Sequence, residues 1–194
     1  MSATLQEMGP SGISIWNRDK FAISQKHLAI GNTYTVFDPD TNVPILYVKR
    51  DFFKAHAHIH VYLDKEKTKE ILYIKDCSWL RFRARLEVYD VIANFKVGEL
   101  KRKGLSSLIR PRWIIRDANG LKIGTAYQDS LLKALLRFKL DFHIKIAGQK
   151  VGKFVRKWSI RDKYLLDLSG DPKKLFDRRL ALALGIVLDT EEGR

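Results

Sequence analysis

The chain holds a single cysteine, Cys77, in 194 residues. No internal disulfide can form, and a reducing compartment, the cytoplasm, is the expected setting. The start of the sequence lacks the basic residues and apolar run of a secretory signal. The longest unbroken apolar run, residues 180–188, is nine residues, whereas a helix that spans a bilayer takes roughly 20. No transmembrane segment is expected. Catalytic signatures are missing as well: there is no glycine-rich phosphate loop, no Gly-x-Ser-x-Gly elbow, no Cys motif around Cys77 and no paired carboxylates in a recognisable setting. No catalytic residue and no cofactor is assigned, and Asp38, Asp90 and Asp117 read as turn formers.

What remains is 45% hydrophobic and 30% charged, the composition of a globular domain and not of a disordered chain. Residues 1–12, ending in Gly9, Pro10, Ser11 and Gly12, carry no periodic pattern and are expected to form a loose tail. Residues 13–194 are expected to form one domain. Acid is scarce, and the scarcity is local: residues 79–163 hold 21 Lys and Arg against 7 Asp and Glu, while the remainder balances at 15 against 15. A localised basic surface attracts phosphate-bearing partners, lipid headgroups or nucleic acid, by an electrostatic attraction that weakens with salt.

The apolar run is unusual in having no polar face. Leu180, Leu182, Leu184, Ile186 and Leu188 alternate with Ala181, Ala183 and Val187, and a helix apolar all round must be surrounded by protein. Upstream, one pattern recurs. Residues 34–38 (YTVFD) and 45–49 (ILYVK) form a pair of β-type segments around a turn, and so do 59–64 (IHVYLD) with 70–74 (EILYI). The pattern continues with 86–90 (LEVYD) and 97–101 (VGELK), 113–117 (WIIRD) and 123–127 (IGTAY), then 142–146 (FHIKI) and 151–155 (VGKFV). β-branched and aromatic residues flank turns such as Asp38, Pro39 and Asp40, or Ala118, Asn119 and Gly120, which are hairpin signals.

Alternation is clearest over residues 79–90. There Leu80, Phe82, Ala84, Leu86 and Val88 share one face, and Arg81, Arg83, Arg85 and Glu87 the other. Five hairpins, a leading segment over 13–30 and a trailing one over 157–168 supply about a dozen strands, and closing them into a barrel removes the exposed edges. A barrel of that size has an interior that side chains alone do not fill. The apolar segment is therefore expected to plug it as a helix over about 172–189, with Asp171 as N-cap and Pro172 at the first helical position.

Four candidate sites follow. Asp167, Ser169 and Asp171 are spaced as a calcium loop begins, but Pro172 and Arg178 stand where such a loop needs Gly and Glu, so no metal is assigned. His56, His58 and His60 share one strand face at about 6.6 Å spacing, awkward for one ion and with no obvious Cys or carboxylate to complete a site, and are expected to face water. Arg81, Arg83 and Arg85 line an outward strand face, while Lys101, Arg102, Lys103, Arg110 and Arg112 flank an apolar turn at 104–109. Residues 130–139 (SLLKALLRFK) set Leu131, Leu132, Leu135 and Leu136 opposite Lys133 and Arg137, an interfacial amphipathic pattern. These ten basic residues are the candidates for contact with lipid phosphate.

The elements at 34–38, 88–90 with 97–98, 101–113 (KRKGLSSLIRPRW), 117–120 (DANG) and 178–184 (RRLALAL) resemble the phospholipid scramblase and LURP-one-related families of the tubby-like C-terminal domain superfamily. The likeness runs from about Phe21 to Glu191. It implies a closed antiparallel barrel of about a dozen strands around a buried C-terminal helix, the same mainly β architecture that the hairpins predict. It also implies phosphoinositide binding at membranes or, from the scramblases, calcium-triggered lipid movement. This sequence carries no Pro-rich region, no Cys-rich palmitoylation cluster and no acidic calcium loop beside the last helix. The expected function is a non-catalytic module that binds anionic phospholipid headgroups at a membrane surface. Scramblase-type lipid movement, sequence-independent nucleic-acid binding and a protein-interaction scaffold are the alternatives.

Overall fold

A computed structural model describes residues 14–27, 32–51, 58–78, 84–104, 111–128, 141–157 and 163–192. A 3-10 turn, Ile15–Asn17, leads into β1 (Lys20–His27), β2 (Asn32–Phe37), β3 (Pro44–Asp51), β4 (His58–Tyr62), β5 (Glu70–Asp76) and β6 (Arg85–Asp90). They are followed by β7 (Phe95–Arg102), β8 (Arg112–Asp117), β9 (Lys122–Tyr127), β10 (Phe142–Ile146), β11 (Gln149–Lys157), β12 (Lys163–Asp167) and one helix, α1 (Arg178–Glu192). Every strand pairs antiparallel with its neighbours in sequence, and β1 closes on β12 from Lys20↔Asp167 to Ser24↔Lys163. The fold is thus the closed twelve-strand barrel that the hairpins predict. The tail at 1–12, His56, and Trp79, Leu80 and Phe82 of the alternating segment lie outside the described residues.

Strand alternation sends one side of each strand inward: Ile59 and Val61, Leu72 and Ile74, Leu86 and Val88, Trp113 and Ile115, and Ile144 and Ile146 are all buried. Along α1, residues 180–190 are buried without exception, so over that stretch no face of the helix meets solvent. Barrel and helix fill each other's need. Some wall positions leave no room for a side chain: a Cβ on Gly98 of β7 would stand 2.7 Å from a Leu180 methyl of the helix and 2.5 Å from the Arg116 carbonyl oxygen of β8. Gly152 of β11 is confined in the same way, its Cβ position lying 2.5 Å from the Asp167 carbonyl oxygen of β12.

The helix starts later than the Asp171 and Pro172 signal predicts, at Arg178, and it ends at Glu192. Asp171 does cap, but it caps a turn: its carboxylate accepts the N–H groups of Leu175 and Phe176, each at 2.9 Å, and Lys174 takes the left-handed conformation with φ 50°, which no helix tolerates. The helix cap is Asp177, whose side chain accepts the Arg179 N–H at 2.9 Å and whose carbonyl accepts that of Ala181 at 2.9 Å.

Two ion-pair clusters fasten the helix entry. The Arg178 guanidinium, buried, reaches Asp171 at 2.8 Å and Asp19 at 2.6 Å, tying the helix to the segment before β1. Arg179 reaches Asp90 at 2.7 Å and Asp177 at 2.6 Å, tying it to the end of β6. Nearby, Arg18 pairs with Asp38.

These arrangements set the acid limit of stability. Burial opposes the charge on Asp171, but the Phe176 N–H, the Arg178 guanidinium and the Leu175 N–H outweigh it and hold its carboxyl below the usual carboxylate range. Asp38 is lowered likewise, its burial outweighed by the N–H groups of Asp40 and Thr41 and by Arg18. A carboxyl whose folded pKa is depressed stabilises the fold fully above its unfolded pKa of about 4 and loses that contribution as pH falls below it. Tyr89 shifts oppositely, pushed up to about 12 by its hydrogen bond to Glu87, burial and the Glu87 charge. That favours the folded state below the ordinary tyrosine pKa of about 10, and the advantage is lost as pH rises through 12. Urea midpoints should therefore be flat between the two limits and drop below about pH 4. A midpoint that rises on acidification would contradict these pairings.

Candidate anion-binding surface

Of the ten basic candidates, Arg81, Arg83, Arg110, Lys133 and Arg137 lie outside the described residues, as does the amphipathic segment 130–139. The other five are Arg85, Lys101, Arg102, Lys103 and Arg112, and register separates them into different roles. Arg85 faces outward on β6, but it is already occupied. It reaches Glu99 at 2.9 Å and Glu87 at 3.2 Å, while Lys96 reaches Glu87 at 3.0 Å and Arg116 reaches Glu99 at 3.7 Å. The network holds the Glu87 carboxyl below its ordinary range, first through the Tyr89 hydroxyl and then through Lys96. An anion arriving at Arg85 would have to displace two carboxylates. Arg102 pairs across the ladder with buried Trp113 and so stands on the inward side of the wall. Lys103 is exposed just past the end of β7.

Lys101 and Arg112 remain, and the pairing extends them into two outward rows. One row runs Arg85, Lys101, Ile114, Thr125, Lys145 and Lys150 across β6 to β11. The second runs Arg112, Tyr127, His143, Lys153, Asp167 and Lys20 across β8 to β1. Neighbouring strands lie about 4.8 Å apart, so the cations form a band on the wall, not a point. Among the described residues, Lys101, Lys145 and Lys150 have no carboxylate within salt-bridge distance, and Asp167, 3.7 Å from Lys153, is the acid within the two rows.

Tyr127 sits at the centre of the band. The Arg112 guanidinium lies 5.7 Å and the Lys145 ammonium 5.3 Å from its ring centroid, with His143 at 6.1 Å. Cations on aromatic faces are held in place at a smaller loss of side-chain freedom. Lys145, Lys150 and Lys153 were not among the sequence candidates. The signal that finds them is the alternation His143, Lys145 and Lys150, Lys153 around the turn at 147–148, which places them on the face of Arg112 once β9 is set between β8 and β10.

The remaining sequence candidates resolve into structural roles. Asp167 accepts the Ser169 N–H at 3.0 Å while Asp171 binds Arg178, so the two carboxylates serve different partners. His58 and His60 face outward but are half-buried: His58 meets the Tyr73 hydroxyl at 2.5 Å, and His60 meets Glu70 at 2.8 Å and Asp51 at 3.6 Å. Among the described residues no helix is long and apolar enough to cross a membrane. A family model described as LURP-one-related matches residues 19–189, almost the whole of the barrel and its helix. A search of curated proteins finds no match.

Proposed function

The chain belongs to the LURP-one-related family of the tubby-like C-terminal domain superfamily, and from that premise we propose that it is a non-catalytic module that docks on membranes by binding anionic phospholipid headgroups, phosphoinositides among them, through the outer wall of β7 to β11. The observation that carries this reading is the double row of cations, in which Lys101, Lys145 and Lys150 have no carboxylate partner among the described residues. A headgroup phosphate at Lys101, Lys145 or Lys150 displaces none of these three from an acid among the described residues. Each Lys or Arg close to an anionic surface contributes about 1 kcal/mol, screened by salt.

Vesicle co-sedimentation tests it. The protein should pellet with phosphatidylcholine vesicles containing a phosphoinositide and stay in solution with phosphatidylcholine alone. The combined Lys101→Glu, Arg112→Glu and Lys145→Glu variant should bind at least about tenfold more weakly with an unchanged thermal transition. Equal, weak binding to neutral and anionic vesicles would overturn the reading. Tyr127 between two cations would also suit a stacked base. A gel shift at two salt concentrations decides that alternative, because nucleic acid bound more tightly than the vesicles would replace lipid as the ligand.

A further inference from the structure

The large exposed hydrophobics among the described residues are Val43, Val91, Ile92, Phe95, Leu121 and Leu175, and all of them lie at the end of the barrel where α1 begins. Their distribution around that rim is uneven in charge. Leu121 is 66% exposed at the tip of the β8–β9 turn and is followed by Lys122. Leu175 is 42% exposed in the segment before α1 and is preceded by Lys173 and Lys174. The β10–β11 turn lies between them, followed by exposed Lys150. Its Ala147 N–H donates to the Ile123 carbonyl at 2.9 Å, and its Lys150 carbonyl oxygen lies 3.3 Å from the Cβ position of Gly170. The three segments thus form one continuous corner of the rim.

Both leucines are presented on fixed backbone. The Asp117 carboxylate accepts the Asn119 and Leu121 N–H groups at 3.0 and 2.9 Å, and Asp171 accepts that of Leu175 at 2.9 Å. Asp117 is thus turned toward backbone donors, and Asp171 toward backbone donors and Arg178. Among the described residues, none of the four lysines has a carboxylate within salt-bridge distance; Lys174 instead reaches the Asn17 side-chain oxygen at 3.2 Å. Elsewhere on the rim acids and paired cations stand beside the apolar tips: the Val43 turn carries exposed Asp40 as well as Lys163, which reaches Asn42 at 2.8 Å, while the Phe95 ring lies under Arg179, itself paired with Asp90 and Asp177, and the adjacent Lys96 is paired with Glu87.

We infer that this corner is the leading edge of membrane docking, with Leu121 and Leu175 entering the headgroup layer of an anionic bilayer while Lys122, Lys150, Lys173 and Lys174 meet its phosphates. The inference rests on the lipid-binding reading above and gives it a tilt: Lys150 ends one row of the cationic wall at this corner, whereas Lys101 and Arg112 stand at the opposite ends of β7 and β8, so the barrel lies along that wall with this corner dipping deepest. Apolar tips among lysines that have no carboxylate partner among the described residues fit an interface that is apolar inside and anionic at its rim.

Single cysteines at Leu121, Leu175 and Ile92, each in a Cys77→Ser background and carrying an environment-sensitive fluorophore, test it on phosphatidylcholine vesicles containing phosphatidylserine and a phosphoinositide. Labels at 121 and 175 should shift to the blue and be quenched by spin-labelled lipid, and the label at 92 should not. Leu121→Asp should weaken binding roughly tenfold with its thermal transition unchanged, the loss expected when a largely exposed leucine no longer gains apolar contact. Ile92→Asp should leave affinity unaltered. Binding that persists with no quenching at 121 and 175, equal quenching at 92, or a Leu121→Asp protein of full affinity overturns the orientation and leaves the lipid reading standing. No binding to any vesicle overturns both.

Discussion

Leu184→Asp is expected to yield no folded protein. Leu184 has no exposed surface and lies mid-helix inside the closed barrel, with Leu182 and Ile186 equally buried around it. Removing the leucine side chain loses about 2–5 kcal/mol of burial and packing, and an unpaired carboxylate in that interior adds several kcal/mol more. Together these match the whole stability of an ordinary domain, about 5–15 kcal/mol. Leu184→Ala should lose only the first part and remain folded with a lower urea midpoint. A soluble Leu184→Asp protein with a cooperative thermal transition would show that the helix is not the barrel's core. In a protein proposed to meet lipid this distinction matters, because an apolar anchor in that position would release from membranes on substitution without unfolding.

Arg178→Met should lose about 3–5 kcal/mol, the loss typical of removing one partner from a buried pair. The guanidinium donates to Asp171 at 2.8 Å, to Asp19 at 2.6 Å and to the Phe176 carbonyl at 2.8 Å, so one side chain joins the helix start, the loop before it and the segment leading into β1. Its loss would leave the Asp171 charge buried against two backbone N–H groups. Arg178→Lys keeps the charge but loses the planar fork, and it should fall between wild type and Arg178→Met. Chemical denaturation followed by far-UV circular dichroism measures both. A Met variant within about 0.5 kcal/mol of wild type, the range of ordinary surface changes, would mean the pairing contributes nothing to the fold.

Much of the fold was legible because hairpins and core are local, periodic signals. The segments at 142–146 and 151–155 fall within β10 and β11, and the recurrent glycine in VGELK, IGTAY and VGKFV marks the strands that approach a neighbour too closely for a Cβ, as at Gly98 and Gly152. The start of the helix differs from the sequence expectation because Asp171 followed by Pro172 is a sound capping signal in itself. Only the tertiary pairing of Asp171 with Arg178 and the left-handed Lys174 divert it into a turn.

The surface was less legible for a related reason. Charge counting finds cations, but which of them are neutralised depends on cross-strand partners: Arg85 is taken by Glu99 of the next strand, and Lys145 joins Arg112 only because β9 separates their strands by one Tyr127. Register decides such pairs, and it is a property of the assembled barrel.

In the proposed docking mode anionic headgroups meet the β7 to β11 wall and not the paired arginine on β6. The most direct test is the affinity of two folded variants for phosphoinositide-containing vesicles, Arg85→Gln against the combined Lys101→Glu, Arg112→Glu and Lys145→Glu protein. Near wild-type affinity is expected for the first and at least about a tenfold loss for the second. Loss on Arg85→Gln with full binding by the triple variant would contradict this docking mode.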